Sequence, residues 1–140
     1  MIRDATVLAE IQQNWAGVEA LRAKLQRSAF ATFSMPTIGG IFPFALADAA
    51  HNLPFIHAYA VLNDALKQLR DEGHFACNCF FLGALLKASQ NVLAWRDFAL
   101  ISQGVTRRNE VAHRGQLLNR ADCWKYVDAV KVELSALGII

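Results

Sequence analysis

Nine consecutive residues, Arg107-Arg108-Asn109-Glu110-Val111-Ala112-His113-Arg114-Gly115, gather three arginines, an amide and a histidine into one helix-compatible stretch. A guanidinium is a permanently charged fork that fits phosphate oxygens, and imidazole is the side chain that titrates nearest neutrality, at about pH 6.5 when unperturbed. Together they can hold a phosphate and move a proton. Asn109 and His113 stand four apart, which places them on one face of a helix.

Other chemistries find less support. The chain has no glycine-rich phosphate loop, no H-E-x-x-H, no G-x-S-x-G and no carboxylate cluster suited to Mg²⁺. His51 and His57 flank Pro54 six residues apart, so one helical face does not align them, and His74 is expected at a helix entrance. Packing or capping is the predicted role of each. No ligand set has metal-site spacing, so no metal and no cofactor is expected. Cys77, Cys79 and Cys123 are odd in number, and C-x-C beside Phe80 and Phe81 is neither a zinc knuckle nor a C-x-x-C, so core packing without a disulfide framework is predicted.

Helices must carry the motif. Leu8, Ile11, Trp15, Val18, Leu21 and Leu25 recur at spacings of three and four, predicting an amphipathic first helix from about Asp4 to Phe30. Residues from Thr32 to Pro43 collect Ser, Met-Pro, Gly39-Gly40 and Phe-Pro, predicting one long, rather apolar loop. A second helical region starts near Phe44, with Pro54 marking a kink or a fresh start. Phe55, Tyr59, Leu62, Leu66 and Leu69 continue it, and Gly73 stops it. A third helix, from about Phe75 to Lys87, is apolar on most faces and is expected to be central and buried. The pattern resumes from Asn91 through Trp95, Phe98, Ile101 and Val105. Gly104 either ends that helix, with Thr106 capping a new one, or is tolerated within a run that stops at Gly115. The last helix follows Asn119, with Trp124, Val127, Val130, Leu134 and Leu137 as its buried stripe. The expected fold is all-α: a single domain over residues 1–140, an up-and-down bundle of four to five helices with the long apolar loop between the first and second.

Charge and composition suggest partners. The net charge is +2, yet residues 104–125 carry five cations against two anions. The excess positive charge therefore surrounds the motif, where it suits a polyanion. A hydrophobic fraction of 54% is more than one small core readily hides, so an oligomer interface is expected. The apolar runs are too short for a bilayer span and the first residues include Asp4 and Glu10 with no apolar leader, so no membrane association and a cytoplasmic location are expected.

The segment from Arg108 to His113 resembles the signature of the HEPN superfamily, small all-helical proteins with an Arg-x(four to six)-His motif in which a polar residue commonly follows the arginine. Here Asn109 follows Arg108, Ala112 precedes His113, and the motif lies between a penultimate helix and a final amphipathic one. The resemblance implies a homodimer that cuts RNA without metal, using the ribose 2′-hydroxyl as nucleophile at a site built from both subunits. It implies that His113 carries the proton, Arg108 holds the scissile phosphate, and Asn109 orients the imidazole or contacts the phosphate. Arg107 and Arg114 extend the substrate-binding footprint. It further implies a toxin or phage-defence role and a possible antitoxin partner, or else a non-catalytic module that binds nucleotide or RNA or serves as a dimeric scaffold. Some HEPN toxins carry a tyrosine two residues after the histidine that a partner antitoxin modifies. This chain has Gly115 there, which argues against that route of control.

Overall fold

A computed structural model describes residues 2–27 and 46–140, and of residues 46–48 the backbone alone. It is all-α: α1 (Ala5–Arg27), α2 (Leu46–Asp71), α3 (Leu82–Ser89), α4 (Phe98–Arg114) and α5 (Arg120–Ala136), with no strand among the described residues. The expected loop from Thr32 to Pro43, the start of the second helix near Phe44 and the first helix's end at Phe30 lie outside the described residues.

α2 is the central element. It packs against all four other helices, and its predicted stripe of Phe55, Tyr59, Leu62, Leu66 and Leu69 is fully buried. Each large side chain removed from water contributes about 1.5–3 kcal/mol, so this stripe contributes substantially to the core. The helix runs unbroken across Pro54, whose ring is itself buried. Interior proline costs a helix about 3 kcal/mol relative to alanine, and the burial of His51, Asn52, Pro54 and Phe55 in this turn works against that cost. Gly73, at φ +81°, ends α2 in a left-handed turn: the His74 N–H returns to the Leu69 carbonyl at 2.9 Å and the Gly73 N–H to that of Arg70 at 2.8 Å. His74 therefore sits at the exit of α2 and not at a helix entrance, where its Nε2 lies 3.6 Å from Glu72.

The third helix departs from expectation. It begins at Leu82, is eight residues long, and lies to one side of α2. Phe75 to Phe81 is not helical, and Phe80 and Phe81 are exposed, at 72% and 82%. An apolar run with no periodicity does not distinguish a buried helix from an irregular segment, and Asn, Cys and Phe are indifferent helix formers. Cys123 is buried in the core as expected, but Cys77 and Cys79 are half-buried and joined as a disulfide, their Cα atoms 5.2 Å apart. The link closes a local ring and staples no separate elements.

α4 likewise starts later than the pattern from Asn91 predicts, at Phe98. It then continues through Gly104 without interruption, so Thr106 is a mid-helix residue whose hydroxyl returns to the Ser102 carbonyl. α5 begins as expected, with the Asn119 side chain accepting the Asp122 N–H at 2.8 Å. Val127, Val130, Leu134 and Leu137 are buried, while Trp124 is half-buried. No described helix is long and apolar enough to cross a membrane.

Candidate functional site

The motif occupies the last two turns of α4, and the helix is fixed at both ends. At its start Asp97 accepts the Leu100 N–H at 2.9 Å. Glu133 of α5, 1% exposed, reaches in to accept the N–H groups of Arg96 at 2.9 Å and Asp97 at 2.6 Å. A buried carboxylate is tolerable because these donors, at the positive end of a helix, replace its water. At the other end Gly115 adopts φ +64°, and the N–H groups of Gly115 and Gln116 return to the carbonyls of Val111 and Glu110. Beyond it, buried Asn52 of α2 clamps Leu118 reciprocally, donating to its carbonyl at 2.9 Å and accepting its N–H at 3.0 Å. The chain leaving the motif is thereby tied to the central helix.

One close approach sets where α4 lies. Gly104 faces Tyr59 of α2 and Tyr126 of α5, and a Cβ built on it would overlap the Tyr59 hydroxyl outright. The absent side chain is what lets α4 sit directly on these rings. Tyr59 Oη donates to the Ile101 carbonyl at 3.3 Å, and burial pushes its phenol well above the ordinary range. The Tyr126 phenol is also raised, first by burial and then by Asp122, with Arg107 and Glu110 acting on it in opposite directions.

The motif residues divide between faces. Asn109, His113 and Arg114 are exposed and, with Thr106 and Glu110, line a groove of about 350 Å³. Arg107 does not line it. Its guanidinium pairs with Glu110 at 2.6 Å, so much of its charge is answered within the motif. Arg108 does not line it either, being half-buried with Nη1 donating to Asn109 Oδ1 at 3.1 Å and with Nε sequestered without a hydrogen-bond partner among the described residues. Five residues of helix rotate a side chain by roughly 140°, so Arg108 and His113 of one chain point to different sides. Asn109 bridges them, touching Arg108 and sharing the groove with His113.

Thr106 and Glu110 belong to the groove wall and were not singled out by the sequence. Glu110 was readable as the i+3 partner of Arg107 and the i−3 neighbour of His113. Glu133 and Asn52, which position the helix, carry no such local signal. Of the other histidines, His51 is buried and accepts the Trp124 indole N–H on Nδ1 at 2.9 Å, in keeping with a packing role. Trp124 is flanked by the guanidinium groups of Arg22 at 4.9 Å and Arg120 at 5.5 Å. Among the described residues no three His, Cys, Asp or Glu side chains come together as a metal site would need. No family model, curated protein or solved structure matches this chain.

Proposed function

We propose that the protein is a homodimeric, metal-independent endoribonuclease of the HEPN type. The observation that carries this reading is the exposed groove in which His113 lies one helical turn from Asn109 and beside Arg114, with Arg108 held against Asn109 at its edge. His113 takes the proton from a ribose 2′-hydroxyl. The 2′-oxygen bonds to the adjacent phosphorus and the bond to the 5′-oxygen breaks, leaving a cyclic phosphate and a 5′-hydroxyl. A second proton carrier must protonate the leaving oxygen, and one chain offers one histidine in the groove. A twin groove from a second copy supplies the other. Arginine is suited to the growing charge on the phosphoryl oxygens because its own charge is permanent and its donors are preset. Arg108 can serve from the edge of the groove, and Arg114 and Arg107 extend the field around it.

The setting that fits this activity is the cytoplasm, where such an enzyme acts as a toxin or in defence and an antitoxin protein restrains it. Gly115 bears on that restraint. At φ +64° the position costs a residue with a Cβ about 1–2 kcal/mol, so a modifiable tyrosine is disfavoured there by the backbone itself. The sequestration of Arg108 Nε favours a second reading, a non-catalytic module that binds nucleotide or RNA.

Incubating the purified protein with RNA in EDTA, beside His113→Ala, separates the two. Cleavage by the wild type and its loss in the variant supports the enzyme, whereas RNA bound but not cut supports the module. Cleavage equal in both proteins overturns the assignment of His113.

A further inference from the structure

The His113 groove has a neighbour on the other side of Thr106 and Asn109. A second groove of about 440 Å³ runs between α3 and α4, and Thr106 and Asn109 line both. Its floor is apolar, made by Leu86 and Val105, which are buried, and by half-buried Phe98, held edge-on by Trp95 at 5.9 Å. Exposed Lys87 and Gln90 stand along its α3 side. Gly83 widens it: a Cβ there would find Val105 Cγ1 at 3.9 Å as its nearest neighbour, an ordinary contact, so space and not crowding lies over this glycine.

We infer that this α3–α4 groove is a base-binding subsite, which takes the unpaired base of the nucleotide next to the scissile phosphate and restricts the substrate to single-stranded RNA. The inference rests on the ribonuclease reading of the His113 groove. Asn109 marks the boundary, with the proton carrier and Arg114 on one side and the apolar trough on the other. A base offers flat apolar faces and a hydrogen-bonding edge, matched here by Phe98, Leu86 and Val105 beneath and by the Gln90 amide at the rim. Lys87 supplies positive charge where the next phosphate of the strand would pass. The volume falls within the roughly 300–1,000 Å³ of clefts that enclose small ligands. A base stacked in an A-form duplex presents no free face to such a trough, whereas an unpaired one does.

The test compares the wild-type dimer, Gly83→Phe and Gln90→Ala on a short labelled RNA, on its duplex, and on the same strand with an abasic ribose beside the cleaved bond. Circular dichroism and the dimer mass confirm that each variant is folded. Gly83→Phe, which fills the trough, is expected to raise KM for the single strand about tenfold, the scale of one lost stacking contact. The abasic strand raises KM by a similar factor in the wild type and adds nothing in Gly83→Phe, and the duplex is a poorer substrate than the single strand. Wild-type cleavage with KM unaltered by Gly83→Phe and Gln90→Ala overturns the subsite alone, as does a Gly83→Phe effect that persists in full on the abasic strand. An absence of any cleavage by the wild type overturns the ribonuclease reading itself, and the subsite with it.

Discussion

Replacing Gly104 with alanine tests whether α4 is held by close approach to the tyrosine pair beneath it. The new Cβ would overlap Tyr59 Oη and lie 2.5 Å from Tyr59 Cζ and 2.9 Å from Tyr126 Cδ1. Neither ring has room to withdraw. Tyr59 is fully buried, with Phe55 packed edge-on against it at 5.3 Å, and Tyr126 is 4% exposed. Forcing a methyl into such packing costs about 1–3 kcal/mol, and displacing Tyr59 from the Ile101 carbonyl adds about 1–3 kcal/mol for a buried hydroxyl left without its partner. Alanine returns about 1 kcal/mol of helix propensity. The net expectation is a loss of about 1–5 kcal/mol, with Tm falling by about 3–5 °C per kcal/mol for a chain of this size. Urea unfolding followed by circular dichroism measures it, with Gly83→Ala as the control. At Gly83 the same substitution meets only Val105 Cγ1 at 3.9 Å and should stabilise by up to about 1 kcal/mol. If Gly104→Ala is as stable as the wild type, or gains what Gly83→Ala gains, then Gly104 does not set the seat of α4 and the reasoning fails. Tyr59→Phe in the Gly104→Ala background should recover part of the loss, because it removes the atom of greatest overlap.

Three further expectations follow from the contacts that position the motif. Asn52→Ala strips the partners from the buried Leu118 backbone and should cost about 2–4 kcal/mol, with faster amide exchange concentrated just after Gly115; exchange unchanged there would contradict the clamp. Glu133→Gln turns one of two acceptors into a donor that faces a backbone N–H. It should cost about 1.5–3 kcal/mol, read by urea unfolding, and should loosen the start of α4, read from the Asp97 amide. The Glu72 carboxyl is held at about 2, well below its ordinary 4.5, first by the Gln68 amide and then by the backbone N–H of Asp4, with Arg3 adding to it. A lowered carboxyl pKa means that its contribution is fully present above pH 4.5 and is lost as pH falls toward 2. An NMR titration should therefore show the Arg3 and Asp4 amides shifting together with a midpoint near pH 2, and movement complete before pH 4 would refute the assignment.

Much of the fold was legible because burial in a helix leaves a periodic trace. The α2 stripe from Phe55 to Leu69, the Gly73 and Gly115 stops and the Asn119 cap are all local patterns, and each is found where the sequence puts it. The third helix was not legible for the opposite reason. Phe75 to Lys87 is apolar without a period, and apolarity alone does not tell whether a segment coils, extends or leaves Phe80 and Phe81 in solvent. Asn91 to Asp97 reads as helix by spacing, but α4 begins only where Asp97 and Glu133 can satisfy its first amides, and Glu133 is 36 residues away along the chain from Asp97.

At the motif the division is sharper. Residue types and order alone determined that a proton carrier, an amide and several guanidinium groups share the end of one helix, and that Asn109 and His113 share a face, since a helix repeats every 3.6 residues whatever surrounds it. Whether a helix ran unbroken through Gly104 was left open by the sequence and answered by Tyr59, a residue of another helix. The tertiary structure likewise decided that Arg107 is answered by Glu110, that Arg108 Nε is shielded while Nη1 turns to Asn109, and that the His113 groove shares Thr106 and Asn109 with another between α3 and α4. Side-chain type is a property of the chain, but exposure, pairing and the shape of a groove are properties of what packs beside it.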